Sequence, residues 1–332
     1  MNVVMIIPTG IGCSIGGDAG DAAPAARLIG TCCDKIILNP NVVNASDINE
    51  MPENTWYVEG SVLDRFLEND ISLVKPYSNK ILVVVNRADY QPINAVSAAR
   101  MSLGIDAKIV ELDTPLELIA KMKDGLATGD VNGWKELIDQ VIKYDFDALA
   151  IATPITISED DLKRYFIEGG VNPVGGVEAV ASKLIADRLG KPVAHGPVDY
   201  SMPDFREIVD PRKAVEIVTE NYIHCILKGL HKAPRISSYG GLSVSDMDIM
   251  ISPYGCWGRP HYACRDAGIP IMVVKENRSV LNCEYPNLGR NLFFVENYVE
   301  AAGVLMAMKA GVHPSAVRRP VEYTTVIAKR GI

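Results

Sequence analysis

Five apolar runs of strand character stop abruptly in turns that carry glycine, asparagine, cysteine or histidine, and the first is the most constraining. Val3-Val4-Met5-Ile6-Ile7 runs directly into Pro8-Thr9-Gly10-Ile11-Gly12-Cys13-Ser14-Ile15-Gly16-Gly17-Asp18-Ala19-Gly20-Asp21. A strand covered on both faces reads as an unbroken apolar run, the mark of a parallel sheet, and open α/β sheets bind ligands beyond the carboxyl ends of such strands. Glycine at that edge admits backbone where side chains would block a ligand.

Further strands are predicted at Lys35–Leu38, Trp56–Val58, Ile81–Val85, Lys108–Glu111, Ala148–Ala152, Pro192–Ala194, Asp248–Ile251, Ile269–Val274 and Leu292–Val295. Amphipathic helical patterns cover Ala23–Thr31, Ile93–Leu103, Pro115–Leu126, Trp134–Lys143, Glu159–Phe166, Val177–Leu189, Pro211–Leu230, Pro260–Ala267 and Asn297–Lys309. Strands alternating with helices of this length imply βαβ crossovers, hence an α/β protein with mainly parallel, doubly wound sheets. Gly104, Gly190, Gly268 and Gly311 each stand where a left-handed helix stop is wanted. The polar stretches 75–80 and 199–211 suggest two Rossmann-like lobes with a cleft between them. One lobe is 1–77 with 210–332, and the inserted lobe is 78–209. One continuous α/β domain is the alternative.

Size and charge narrow the class. A chain of 332 residues, 48% hydrophobic and 22% charged, buries a large core. A formal charge of −8 argues against nucleic acid as the main partner. No apolar stretch reaches the ~20 residues that cross a bilayer, and the amino-terminal run lacks the charged flank of a secretory signal. Seven scattered cysteines, an odd number that includes the neighbours Cys32 and Cys33, read as reduced thiols. Together these point to a cytoplasmic protein. The basic C-terminal tail, with Arg318, Arg319, Lys329 and Arg330, reads as a solvated arm or a homo-oligomer contact.

The chemistry-bearing candidates sit at strand ends. The spacing Gly10-x-Gly12 and then Gly16-Gly17 misses the dinucleotide fingerprint, and no Lys-Ser/Thr pair makes a phosphate cradle. Asp18 and Asp21 suit a substrate ammonium, a metal or the cap of the helix at Ala23. The loop 168–176, with Gly175 and Gly176 opening a helix, reads either as an anion seat or as a tight connection. Cys256 follows a strand and precedes a helix with Arg259 and His261 nearby, a setting that lowers a thiol pKa and favours catalysis; a small buried hydrophobe is the alternative. Cys13 is the candidate to face it across a cleft, the two thiols working on opposite faces of a carbon acid. That layout resembles the aspartate/glutamate-type racemases, whose Cys-Asn-Thr and Cys-Thr-His signatures this chain lacks.

His195 ends a strand as an acid/base candidate, with Asp199 in reach to orient it. Thr9, Asn41, Glu59, Arg87, Lys275 and Asn277 complete a polar rim suited to substrate binding, each also explicable as turn chemistry. Zinc-like spacing is lacking. No cofactor is predicted, while a labile divalent ion on Asp18, Asp21 or Glu59 stays open.

At Pro8–Gly12, Ile15–Asp21, Asn39–Asn44, Tyr57–Gly60 and again at 268–282, the chain resembles a family of uncharacterised bacterial proteins, cyanobacterial members included, known as a domain of unknown function. The resemblance spans nearly the whole chain and implies a bacterial intracellular protein, with no activity to carry over. The residues favour an isomerase, racemase or lyase acting on a small carboxylate-bearing metabolite without a cofactor. A nucleotide- or phosphate-ligand transferase or hydrolase and a non-catalytic small-molecule-binding protein are the alternatives.

Overall fold

The computed structural model describes residues 1–198 other than 19, 44 and 46, residue 208, and residues 222–326 other than 322 and 325. Its main sheet is parallel throughout. The strands β1 (Asn2–Met5), β2 (Lys35–Leu38) and β3 (Thr55–Tyr57) step outward in one direction. After a long excursion, β13 (Ile249–Tyr254) pairs with β1 on its other side, and β14 (Ile271–Arg278) and β15 (Leu292–Val295) step outward the opposite way. The spatial order β15-β14-β13-β1-β2-β3 therefore reverses between β1 and β13. Such a reversal opens a crevice at the carboxyl ends of the two strands, because their connections leave on opposite faces.

The excursion builds a second parallel sheet, in the order β11-β9-β5-β6, from β5 (Lys80–Val85), β6 (Asp106–Glu111), β9 (Ala148–Ala152) and β11 (Val193–His195). A small antiparallel pair joins β4 (Ser72–Val74) to β12 (Arg235–Ser237).

Both large sheets are covered on both faces, and alternation along each strand shows it. Val3 and Met5 enter one core while Val4 and Ile6 enter the other. In β5, Val83 and Val85 go with the first set, Leu82 and Val84 with the second. Neither core is confined to one sheet. Each fully buried aliphatic side chain is worth ~1.5–3 kcal/mol, so the unbroken apolar runs account for the doubly wound arrangement.

The helices are α1 (Ala23–Thr31), α2 (Gly60–Leu67), α3 (Tyr90–Leu103), α4 (Trp134–Val141), α5 (Glu159–Glu168), α6 (Gly175–Leu189), α7 (Tyr222–His231), α8 (Arg259–Ala267) and α9 (Tyr298–Lys309). Gly104, Gly190 and Gly268 end α3, α6 and α8 in the left-handed region, at φ 65°, 63° and 73°, as their positions predict. Apart from residue 208, the proposed linker 199–211, Asp199 included, and the first half of the Pro211–Leu230 helix lie outside the described residues.

One predicted helix is replaced. Residues 115–126, read as helical, belong to the hairpin of β7 (Glu117–Lys123) and β8 (Leu126–Asn132), with β10 (Ile155–Thr156) parallel to β7. The turn is Asp124-Gly125, with φ 53° and 77°. Two successive positive φ angles make the hairpin turn that Asp-Gly favours, and that local chemistry outweighs a helical spacing of apolar residues. α2 and the strands β4 and β12 also carry too short an apolar pattern to be legible.

Asn277 ties the first loop to the sheet. It is fully buried, accepts from the Ile15 amide at 2.9 Å, and donates to the Ile15 carbonyl at 2.9 Å and the Tyr298 hydroxyl at 2.8 Å. Asn277→Ala strands all three partners and is expected to cost about 3 kcal/mol of unfolding free energy, seen as a lowered urea midpoint. An unchanged midpoint would show that the loop is held some other way.

Candidate functional site

At the carboxyl ends of β1 and β13 lies a cavity of about 350 Å³. Ile6, Pro8, Thr9 and Ile11 line it from the β1 exit, and Asn39 from the β2 exit. Glu59, Ser61, Leu63 and Asp64 come from the start of α2, and Ala179 and Lys183 from α6. Cys256, Trp257, Arg259 and His261 come from the β13 exit and α8.

The β13 exit is shaped by a register shift between Pro253 and Tyr254. Gly255 follows at φ 84°, and a Cβ there would stand 2.4 Å from the Leu281 carbonyl oxygen, so only glycine lets the strand turn this tightly. Cys256 is thereby buried against its own strand. Its Sγ donates to the Pro253 carbonyl at 3.2 Å and lies 3.5 Å from Ser252 Oγ.

Behind it sits His261, 1% exposed. The Gly258 amide donates to His261 Nδ1 at 3.2 Å, so that nitrogen is the acceptor and Nε2 carries the proton. Nε2–H then donates to Ser252 Oγ at 2.7 Å. Burial holds the imidazole neutral, with its pKa lowered to about 4. His261 therefore donates to Ser252, whose own hydroxyl hydrogen has the Pro253 carbonyl at 3.2 Å and Cys256 Sγ at 3.5 Å as acceptors.

Burial raises the Cys256 pKa to about 11, with the Ser252 hydrogen bond opposing. This corrects the expected low thiol pKa. His261 brings no charge, and Arg259 turns to Glu68 in a two-pronged pair at 2.6 and 2.7 Å, with Asp64 at 3.7 Å.

Glu59 caps α2. Its Oε2 accepts from the Ser61 amide at 3.0 Å, the Val62 amide at 3.2 Å and the Ser61 hydroxyl at 2.5 Å. Burial raises its pKa despite these bonds. Asp64 is raised to about 6, by burial first, with Arg259 pulling it down and Glu68 and Glu59 pushing it up.

Of the residues singled out in the sequence, the cavity gathers Thr9, Glu59, Cys256, Arg259 and His261; the other proposed catalytic and binding residues stand outside its lining. Cys13 is buried outside the lining, with its thiol raised to about 12 by burial, then by Cys256 and Asp21. The loop glycines approach the protein itself: Gly10 faces the Ala127 carbonyl, Gly12 Val171, Gly16 Ile7, and Gly17 the Cys13 carbonyl. Asp18 accepts from the Tyr165 hydroxyl, and Asp21 accepts from the Gly16 amide at 2.6 Å; neither caps α1, whose first turn has no side-chain cap. Asp18 lies near enough to Asp21 to help raise its pKa, after burial, while Glu59 is committed to α2.

Asn41 donates to the Pro8 carbonyl at 3.2 Å, and Lys275 pairs with Glu296 at 2.6 Å. Arg87, on the second sheet, pairs with Asp89 at 2.7 Å. Gly175 meets Thr9, and Gly176 packs on the hairpin, where a Cβ would stand 2.3 Å from the Ala127 carbonyl carbon. The glycine pair serves that close approach.

His195 lies outside the cavity. Its Nε2 is 3.0 Å from the Thr153 carbonyl and its Nδ1 is 2.9 Å from Glu178 Oε1. Both nitrogens face acceptors, so the ring is a bridge between β9 and α6. Asp64 and Lys183 left no signal in the sequence, since isolated charges on amphipathic helices look like any solvated face.

A family model described as protein of unknown function (DUF3326) matches residues 2–318. The chain is 34% identical over 338 residues to an "Uncharacterized lipoprotein" of Synechococcus sp., covering 95% of this chain and 92% of that protein. No solved structure matches. The lipoprotein name overturns the cytoplasmic reading drawn from the cysteines and the amino-terminal run. Among the described residues, no helix is long and apolar enough to cross a membrane.

The His261 assignment is open to a direct check. Nitrogen-detected NMR of the imidazole should show the Nε2–H neutral tautomer at pH 7, protonating only near pH 4. The unfolded ring protonates near 6.5, so acid favours unfolding between those values. Stability contributed by the neutral ring is full above pH 6.5 and falls by about 3 kcal/mol as pH drops to 4. An imidazole titrating near 6.5 in the folded protein would remove the neutral donor chain.

Proposed function

The chain belongs to the DUF3326 family of proteins of unknown function, and on the chemistry of its cavity we propose that it is an isomerase or lyase acting by acid–base chemistry on a small carboxylate-bearing metabolite. One observation carries this reading: a buried thiol beside the hydrogen-bonded Ser252–His261 pair shares a cavity with a carboxyl group poised near neutrality.

The roles follow from protonation states. Asp64, with a pKa of about 6, is a carboxylate at neutral pH and serves as the base that removes a proton from carbon. Cys256, with a pKa of about 11, is a thiol and serves as the acid. Once it gives up its proton, Ser252 turns its hydroxyl hydrogen to the thiolate while His261 Nε2–H supports the serine oxygen. Lys183 holds the substrate carboxylate. The same raised thiol pKa also favours a second reading, a binding protein in which Cys256 is a packed wall and no bond changes. The relative's lipoprotein name supports a lipid-anchored setting for this chain as well.

Ligands that copurify with the protein, identified by mass spectrometry, supply the substrate for the test. The protein should exchange substrate carbon-bound hydrogen with deuterated water. The rate should rise with pH through about 6, as Asp64 ionises. Cys256→Ser and Asp64→Asn should each lower it roughly 100-fold or more. Full exchange activity in Cys256→Ala removes the thiol from the mechanism; a ligand that binds with no exchange at all selects the binding reading.

A further inference from the structure

Glu59 is 8% exposed and lines the cavity. All three hydrogen bonds it accepts fall on Oε2. Among the described residues, nothing bonds Oε1. Oε1 is not one of the enclosed, partnerless polar atoms, which among the described residues are on Asn54, Thr55 and Arg65, so it opens onto the cavity and can take a donor from a small molecule there.

The surrounding charges say what kind of molecule. Arg259 is engaged by Glu68 at 2.6 Å and Asp64 at 3.7 Å, which leaves Glu59 and Lys183 as the charged lining groups outside that cluster. A ligand bearing only a carboxylate adds a negative group where Arg259 is already matched by Glu68 and Asp64, leaving Lys183 alone to offset it beside Glu59. A ligand bearing an ammonium as well is neutral overall and brings N–H donors to the open oxygen. The remaining walls, Ile6, Ile11, Leu63, Trp257 and Leu281, are apolar, and they suit a hydrocarbon or aromatic side group.

We propose that the cavity binds a small zwitterion of the apolar amino-acid class, its ammonium donating to Glu59 Oε1 and its carboxylate paired with Lys183. This rests on the cavity being the substrate site and specifies the substrate. Glu59 is then a positioning and specificity residue rather than the proton carrier. The ammonium also withdraws electrons from the neighbouring carbon, which eases removal of its proton by Asp64.

The test is thermal unfolding of the full chain with each of the twenty free amino acids, beside their N-acetyl and carboxyl-amide forms. At least one apolar free amino acid should raise Tm by about 3 °C or more at a hundredfold excess over its Kd. N-acetylation should abolish the shift, and amidation should weaken it at least tenfold in Kd. Glu59→Gln keeps an acceptor for the α2 amides, so its unliganded Tm should stay near that of the native chain while the ligand shift is lost. Lys183→Ala, at an exposed position, supplies a second folded variant with weakened carboxylate binding.

Each failure has its own meaning. An N-acetyl acid that binds as well as its free parent overturns the ammonium site and leaves the carboxylate reading standing. An amide that binds as well as the free acid, with the N-acetyl form inert, supports the ammonium site and sinks the carboxylate. No shift with any free amino acid, or an undiminished one in Glu59→Gln, overturns the inference.

Discussion

An asparagine side chain at the carboxyl end of a strand imitates one further residue of the sheet, because its amide presents one acceptor and one donor pair like a peptide group. Among the described residues the device is used three times. Asn39 exchanges bonds with Ile7 at 3.0 and 2.9 Å, Asn86 with Leu116 at 2.8 and 2.9 Å, and Asn277 with Ile15 at 2.9 Å each way. Each clamp begins where the ladder ends and fixes the next stretch of chain. The cavity depends on two of them, since Ile7 and Ile15 bracket the loop that forms one wall. Without the clamps the buried loop amides would need water.

The site is also defined by how its charges are cancelled. Arg259 looks like the natural activator of Cys256, being three residues away. Asp64 on α2 and Glu68 at its C-cap claim it instead, and burial keeps the proton on the thiol. His261 is a base by residue type, but one amide at Nδ1 fixes its tautomer and leaves it only a donor. Burial therefore converts a set of reactive residue types into a neutral, directional arrangement. The charged lining groups outside the Arg259 cluster are Glu59 and Lys183.

Packing between the sheets brings the cavity walls together. Glycine does this where α6 crosses the β7–β8 hairpin, since a side chain at Gly176 would push the helix off. That contact carries Lys183 to a cavity whose other walls belong to the six-stranded sheet. Both apolar cores likewise draw from both sheets, so the excursion from β5 to β11 and the main sheet stabilise one another.

The sequence by itself determined the class of fold, the strand ends and the edge on which chemistry should lie. Burial on two faces writes itself as an unbroken apolar run, and left-handed helix stops demand glycine. It also made Glu59, Thr9 and Cys256 visible as strand-end groups. Only the tertiary structure decided which strand ends converge, that His195 bridges β9 to α6, that Arg87 and Lys275 hold their own carboxylates, and that residues 115–126 form a hairpin. The reason is range. Periodicity and turn chemistry act over a few residues and are legible locally, whereas a thiol's pKa or the partner of an arginine is set by groups brought close from distant segments.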